Sequence, residues 1–160
     1  IFLFATNRDM RKLTLKMSQP YNQAVEDYLK AIYKLQCEHG ECAGTTTLAE
    51  RLKLAPASVT NMIKKLAELN LVVYTPYRGV SLTEAGREIA LRVIRYHRLV
   101  ELYLVEKLDV PCDQVHLQAE IWEHSLSEIL AERMDQVLGN PTTDPHGAPI
   151  PPRSVNNEKP

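Results

Sequence analysis

The sequence predicts a mainly α-helical fold with a small β wing, in which an N-terminal winged helix-turn-helix domain precedes a helical dimerisation domain. Two observations carry this prediction. Two short amphipathic segments are separated by a tight turn and are followed directly by a β-rich hairpin, which is the order of a winged helix. Two long segments with a helical period come next.

The 160-residue chain divides by composition into four segments. We expect a disordered upstream or cloning-derived extension over residues 1–17, the winged helix-turn-helix domain over 18–82, the helical domain over 83–140, and a proline-rich linker or tail over 141–160.

Each helix of the first domain has its own signal. A helical period over residues 22–38 predicts the first helix. Thr47 is the expected N-cap of a second helix, with Glu50 completing a capping box. Pro56 ends that helix, because the residue before a proline is biased away from helical geometry. Residues 58–70 then predict the third helix.

The wing and the second domain follow in order. Residues 71–74 and 79–82 are β-rich runs around a proline and glycine turn, which predicts a hairpin. Thr83 is the expected N-cap of a long helix that ends near Pro111. One further helix is predicted from residue 112 or 113 to about residue 138.

Charge is distributed unevenly between the two domains. Residues 45–82 hold five basic and two acidic side chains, a net +3, whereas residues 101–136 hold nine acidic and two basic ones, a net −7. A basic first part and an acidic second part indicate that the first part meets a polyanion and the second meets cations or a partner.

The predicted third helix and the wing carry side chains suited to double-stranded DNA. The third predicted helix of the chain is the second helix of the helix-turn-helix, and in such proteins the first residues of that helix lie in the major groove. The candidate base or phosphate contacts are Ala57, Ser58, Thr60, Asn61, Lys64, Lys65 and Arg78. Singly, each is more often part of a helix start or a solvated face than a DNA contact. Combined with the turn, the wing and the charge asymmetry, they favour DNA binding.

Acidic and imidazole side chains repeat at helical spacing in the second domain. His116, Glu120, Glu123 and His124 form one stripe, and the preceding helix carries His97 and Glu101 four residues apart. Six nitrogen and oxygen donors without a thiolate suit a divalent metal such as Mn²⁺, Fe²⁺ or Zn²⁺. Spacing alone more often belongs to a solvated helix face, so both interpretations stay open here.

The two long helices of the second domain are too few to bury their own apolar residues. The apolar positions expected to remain uncovered are Val93, Ile94, Val100, Leu104, Leu126, Ile129 and Leu130. An uncovered apolar stripe of this length predicts a homodimer.

Other features exclude several classes of protein. Three cysteines without an export signal are typical of a cytoplasmic protein with free thiols. The stretch from Cys37 to Cys42 lacks a second ligand pair and is interpreted as a turn. No apolar run approaches the length of a membrane span. No nucleophile or glycine-rich loop accompanies the carboxylates, so neither an enzyme nor an organic substrate is expected.

Five stretches, taken in order, resemble the diphtheria toxin repressor family of metal-dependent transcriptional regulators. They are AVEDYLKAIYKL, LAPASVTNMIKKL, LVVYTPYRGVSLTEAG, RYHRLVELYL and HLQAEIWEH. The resemblance covers about residues 23–152 and is specific, because the winged helix and the ligand motifs occur together in register. It implies a metal-activated repressor that binds a palindromic operator as a dimer and controls metal-transport genes. A metal-independent winged-helix transcription factor is the alternative.

The resemblance also implies two metal sites. The main site would use Asp27, Glu120, Glu123 and His124, and the ancillary site would use His97, Glu101 and His116. Iron sensors of the family carry cysteine at the position of Glu120 and tend to carry methionine at that of Asp27. The chain is therefore similar to the manganese transport regulator branch, with Mn²⁺ expected first and Fe²⁺ next.

One departure from the family pattern and one feature of the longer members affect these expectations. Lys30 stands where short manganese regulators carry a second acid, which favours two separated sites over a binuclear one. Longer members continue into a small SH3-like domain that lends ligands to the ancillary site. Residues 141–160 resemble the linker to such a domain.

Overall fold

The computed structural model describes residues 21–40 and 42–153, which contain six helices and one two-stranded antiparallel sheet. The elements are α1 (Gln23–His39), α2 (Thr45–Leu52), α3 (Pro56–Glu68), β1 (Val72–Thr75), β2 (Gly79–Leu82), α4 (Glu84–Leu108), α5 (Val115–Trp122) and α6 (Glu128–Val137). This order confirms the predicted fold class. The predicted extension over residues 1–17 lies outside the described residues.

Helices α1 to α3 and the hairpin enclose one apolar core. Leu29, Ile32, Leu48 and Ile63 are fully buried there together with Val80 of the hairpin. Burying side chains of this size is the main favourable contribution to the stability of such a small domain. The core thereby fixes α3 and the wing relative to α1.

The hairpin is anchored on a third segment. Val72 pairs with Leu82 at its open end, and the backbones of Val80 and Ala43 exchange hydrogen bonds of 2.8 and 2.9 Å. Gly79 has φ 113°, and a Cβ there would lie 2.4 Å from the carbonyl oxygen of Ala43. Only glycine fits this approach, so the wing is held against the chain between α1 and α2.

Two predicted helix starts are wrong. The second helix begins at Thr45, with Gly44 as an N-cap that lacks a side-chain hydrogen bond, so Thr47 forms no capping box. The third begins at Pro56, two residues before the prediction, because proline has a φ suited to the first helical position and needs no amide partner there.

Thr83 caps α4 as predicted, and it also fixes the entry of the chain. Its hydroxyl oxygen accepts from the amide of Gly86 at 3.1 Å and donates to the carbonyl of Asn70 at 2.8 Å. A Cβ on Gly86 would lie 2.0 Å from the carbonyl oxygen of Leu71. The first turn of α4 therefore lies directly against the backbone that precedes β1.

Replacing Gly86 with alanine is expected to lower the free energy of unfolding by more than about 2 kcal/mol, because backbone on both sides must move apart. Chemical denaturation measures this change. Glu88→Ala is the matched control, since Glu88 is exposed on the same helix, and it should stay within about 0.5 kcal/mol of the wild type. Equal stability of the two variants would contradict the close approach.

The predicted single helix over residues 112–138 is wrong, because the chain forms two helices with a turn between them. Helix α5 ends at Trp122, and Ser127 starts α6 by accepting a hydrogen bond from the amide of Leu130 at 3.3 Å. Glu123 and His124 therefore lie in the turn, and the four-residue stripe expected on one helix does not exist.

Helix α4 is the centre of the second part of the structure, which consists of α4, α5, α6 and the segment after them. On one side Leu99 packs with Ala131 and Ile150, and on the other Val100 packs with Val115 and Met134.

None of the helices in the described part of the chain combines the length and the apolar character that a membrane crossing requires.

The predicted uncovered stripe is largely covered within the chain itself. Val93, Ile94, Val100 and Leu104 are buried, and Leu126 is partly buried. Helices α5 and α6 cover Val100 and Leu104, because the break between them lets both fold back onto α4. Of the predicted stripe, Ile129 and Leu130 remain exposed.

The segment after α6 also packs on α4, although a linker was expected there. The Arg95 guanidinium donates to the carbonyl of Pro151 at 2.8 Å, Arg98 lies 3.7 Å from Asp144, and Ile150 is buried. Residues 141–153 therefore form an ordered cover on one side of α4.

Candidate metal centre and nucleic-acid interface

The structure gathers possible metal ligands into two neighbouring clusters. The first cluster is Asp27, Glu123 and His124, and the second cluster is His97, His116 and Glu120. Within each cluster one donor atom per residue lies within 4.8 Å of the others. Helix α1 supplies Asp27 and the turn after α5 supplies its two partners, so the first cluster joins the winged-helix domain to the second part.

His124 is the centre of the first cluster. Its Nε2 lies 2.9 Å from Asp27 Oδ1 and 3.1 Å from Glu123 Oε1. The nitrogen is buried and meets no hydrogen-bond geometry with either oxygen. A buried nitrogen left without a hydrogen bond beside two carboxylates is costly in a structural role. The same arrangement fits a divalent metal ion, which takes nitrogen and oxygen donors together.

Glu26 completes the environment of His124, although no pattern in the sequence singled it out. Its Oε2 lies 2.7 Å from His124 Nδ1, and its Oε1 accepts from Arg92 of α4 at 3.0 Å. A carboxylate on one imidazole nitrogen fixes the ring and leaves the other nitrogen as the ligand. Glu26 therefore positions His124 with Nε2 facing Asp27 and Glu123.

The second cluster is built on α4 and the start of α5. Glu101 Oε1 lies 3.1 Å from both His97 Nε2 and His116 Nδ1, so Glu101 belongs with this cluster. His116 Nε2 is 3.7 Å from Glu120 Oε1. On its other side His97 Nδ1 is 2.5 Å from Glu123 Oε2, and this contact links the two clusters.

Glu120 lies with the second cluster, not with Asp27. The predicted main site combined Glu120 with Asp27, Glu123 and His124, but the structure brings only the latter three together. Lys30 Nζ lies 3.1 Å from Glu120 Oε1 and 2.5 Å from Glu123 Oε1, so the ammonium group forms an ion pair with both carboxylates.

Glu123, Lys30 and Asp27 have shifted pKa values. Burial alone would raise the pKa of Glu123, but the hydrogen bond with His97 and the charge of Lys30 lower it. Burial alone would lower the pKa of Lys30, but Glu123 and Glu120 raise it. Burial raises the pKa of Asp27, and nearby Glu123 adds to this, against the attraction of His124 and Lys30. An added cation beside Asp27 would lower its pKa again by favouring the carboxylate.

The predicted DNA contacts lie on one open surface formed by α3 and the wing. Ala57, Ser58, Asn61, Lys64, Lys65 and Arg78 are exposed. Thr60 is half-buried, and its hydroxyl donates to the carbonyl of Pro56 at 3.0 Å. Among the described residues, Lys64, Lys65 and Arg78 form no ion pair, so their charges are available to a polyanion.

Two family models match the chain in sequence order. The N-terminal DNA-binding domain of iron-dependent repressors matches residues 22–80, and the metal-binding and dimerisation domain of iron-dependent repressors matches residues 83–152. The matched domains are those of transcriptional repressors, not of enzymes.

Relatives with curated names agree with this match. The iron-dependent repressor IdeR of Mycobacterium tuberculosis is 40% identical over 126 residues, which are 79% of this chain and 54% of the relative. The diphtheria toxin repressor of Corynebacterium diphtheriae is 34% identical over 79% of this chain and 55% of its own length. The chain thus spans about half the length of both. An uncharacterized HTH-type transcriptional regulator of Methanocaldococcus jannaschii is 40% identical over 71% of this chain and 90% of the relative.

Solved structures share the fold. A manganese-dependent transcriptional repressor in complex with manganese is 42% identical, with a TM-score of 0.73 over 80% of this chain and 58% of that one. A hypothetical protein from Sulfolobus solfataricus is 27% identical, with a TM-score of 0.69 over 82% of this chain and all of the other. Both domains, matched in order, and these relatives show that the chain belongs to the diphtheria toxin repressor family of iron-dependent repressors and resembles members of its manganese-regulator branch.

Proposed function

We propose that this protein is a cytoplasmic, divalent-metal-activated transcriptional repressor that binds palindromic operator DNA as a homodimer and controls metal-transport genes. One observation carries the proposal. The unbonded Nε2 of His124 faces Asp27 of the DNA-binding domain and Glu123 of the second part. The residues that would hold the metal therefore come from both domains.

The position of these residues explains how metal availability would reach the DNA. A bound divalent cation would supply the positive charge that draws Asp27 and Glu123 together. Asp27 lies on α1, which packs in the same core as α3. Fixing α1 on the second domain therefore fixes the position of α3, the helix expected to enter the major groove, relative to the dimer. A dimer binds two DNA half-sites only when its two such helices have a set spacing, about 34 Å or a multiple of it.

The donor set favours Mn²⁺ as the activating ion, with Fe²⁺ next. Each cluster holds carboxylates and imidazoles and no thiolate, and such sets suit hard and borderline divalent ions. The manganese-dependent repressor among the similar structures supports Mn²⁺, whereas the relative named as iron-dependent keeps Fe²⁺ as the second candidate. DNA binding measured by fluorescence anisotropy with Mn²⁺, with Fe²⁺ under anaerobic conditions, and with Zn²⁺ tests the ranking, because affinity alone generally rises from Mn²⁺ to Fe²⁺ at any such site. Activation of DNA binding by Fe²⁺ but not by Mn²⁺ would reverse it.

The basic surface of α3 and the wing is expected to follow the electrostatics of phosphate contacts. Lys64→Ala and Lys65→Ala should each reduce the slope of log affinity against log salt concentration by about 1, on any mixed-sequence duplex. Fluorescence anisotropy over a salt series measures the slope. Lys107→Ala is the control, because this exposed lysine lies at the far end of α4. An equal slope change in all three variants would contradict the proposed surface.

The exposed apolar face of α5 and α6 supports the homodimer. Leu117 and Ile121, four residues apart on α5, are 71% and 66% exposed, and Ile129 of α6 is 63% exposed. An apolar patch of this kind commonly marks a protein interface. Replacing Leu117 and Ile121 together with serine should shift the protein to monomer in sedimentation equilibrium. The control Leu54→Ser, at an exposed position before α3, should stay dimeric, and a dimeric double variant would place the interface elsewhere.

A metal-independent winged-helix transcription factor is the second candidate, and Lys30 is the observation that favours it. Its ammonium group already forms ion pairs with both Glu120 and Glu123. In that case the acidic part would serve dimerisation alone. The decisive comparison is DNA affinity with and without Mn²⁺, because this candidate requires the two values to be equal.

A further inference from the structure

We propose that His146, from the segment after α6, supplies its Nε2 as a further ligand to a metal ion at the second cluster. This inference rests on the proposed function and extends it to a residue of the C-terminal segment. His146 Nε2 lies 3.9 Å from Glu101 Oε1. The same oxygen lies 3.1 Å from His97 Nε2 and from His116 Nδ1, so three imidazoles surround one carboxylate oxygen.

The second ring nitrogen of His146 already has a partner. Cys112 Sγ lies 3.7 Å from Nδ1, on the side of the ring away from Glu101. Ligating histidines nearly always use the nitrogen that does not bind the metal to contact an orienting group. When Nδ1 carries the hydrogen and donates it to the sulfur, Nε2 keeps its lone pair for a metal ion. Nε2 is the nitrogen that faces Glu101. Cys112 thus acts as a positioning residue for the ring.

The loop that carries His146 is fixed rather than free. Asp144 Oδ1 accepts from the amides of His146 and Ala148 at 2.8 and 2.9 Å, and Thr143 pairs with Pro149 across the loop. Arg98 of α4 lies 3.7 Å from Asp144, so the loop is attached to the helix that carries His97 and Glu101. The loop that carries His146 is therefore attached to α4, the same helix that carries His97 and Glu101.

The required movement is small. Two donors that share a metal at about 2.1 Å each lie roughly 3 Å apart. His146 must therefore approach Glu101 by about 1 Å from its present 3.9 Å, and its side chain is 47% exposed and free of close packing on one side. With His146 included, the second cluster has three imidazoles and two carboxylates, those of Glu101 and Glu120, within residues 97–146.

Cobalt titration tests this assignment. His124→Ala serves as the background, so that metal binds at the second cluster, and Co²⁺ binding is followed by visible absorption and by titration calorimetry. Adding His146→Ala should weaken Co²⁺ binding by at least about tenfold and change the visible spectrum. Adding His39→Ala should change neither, since His39 is an exposed histidine at the end of α1. Thermal unfolding of each metal-free variant checks the fold.

Two results would overturn the assignment. One is Co²⁺ affinity and a spectrum in the His146→Ala variant within twofold of the background. The other is a thiolate-to-cobalt absorption band that survives His146→Ala and disappears on Cys112→Ser, because the sulfur would then be the ligand. Both leave the proposed function intact. Failure of the wild-type protein to bind any of Mn²⁺, Co²⁺ or Zn²⁺ would instead reject the proposed function together with this assignment.

Discussion

Replacing His124 with alanine should weaken Mn²⁺ binding at the first cluster by at least about 100-fold, since even outer-shell partners of a metal site alter affinity by 10- to 100-fold. His124 is the single imidazole of this cluster, and its Nε2 lies within 3.1 Å of both carboxylates. Without the imidazole, Asp27 and Glu123 remain as oxygen donors from two different domains. Their mutual repulsion then opposes the approach that metal binding requires.

Titration calorimetry with Mn²⁺ measures this loss as one fewer binding event in the variant than in the wild type. His39→Ala is the control, because it removes an imidazole that is exposed and distant from both clusters. Retention of wild-type affinity and stoichiometry by His124→Ala would show that the buried nitrogen has a structural role instead.

Replacing Lys30 with methionine should have two opposite effects. Lys30 is buried with Glu123, and removing one partner of a buried ion pair costs about 3–5 kcal/mol of stability in the metal-free protein. The same change releases the carboxylates of Glu120 and Glu123 from an internal cation. We therefore expect Mn²⁺ to bind the variant about tenfold more tightly, a gain of about 1.4 kcal/mol.

Chemical denaturation with and without saturating Mn²⁺ separates these effects. The metal should restore more stability to Lys30→Met than it adds to the wild type, because binding to the folded state alone stabilises it. Lys107→Met is the control, since this lysine is exposed and paired only loosely with Glu106 at 3.9 Å. Weaker Mn²⁺ binding in the Lys30 variant would show that the ammonium group organises the site and does not compete with metal.

The sequence predicted the elements of this fold better than their ends. Thr83 before an apolar period marks the start of α4, and the structure confirms the cap. Ser127 followed by Glu128 is the same kind of signal, but the apolar period continues on both sides of it. Periodicity across that boundary favoured one long helix, whereas packing of α5 and α6 against α4 favours two.

The ligand types were predictable from the sequence, but their grouping was not. Glu26 and Lys30 are four residues apart on α1, a spacing that suits an ion pair within one helix. Each instead binds different partners. Glu26 contacts His124 and Arg92. Lys30 contacts Glu120 on α5 and Glu123 just after it. Spacing along a helix shows which side chains share a face and leaves open what lies opposite that face. His146 was not selected from the sequence for a different reason. Residues 141–160 resemble a linker, so no ligand was expected among them.

The central claim is that metal bound between Asp27 and the turn after α5 increases DNA affinity. Its most direct measurement compares wild type with Asp27→Asn on duplexes selected from a random-sequence pool, with selections run in parallel with and without Mn²⁺. Asp113→Asn is the control, because it removes the same charge at an exposed position. We predict that Mn²⁺ raises the DNA affinity of the wild type and the control by at least about tenfold and leaves Asp27→Asn unchanged. Equal enhancement by Mn²⁺ in all three proteins would contradict the claim.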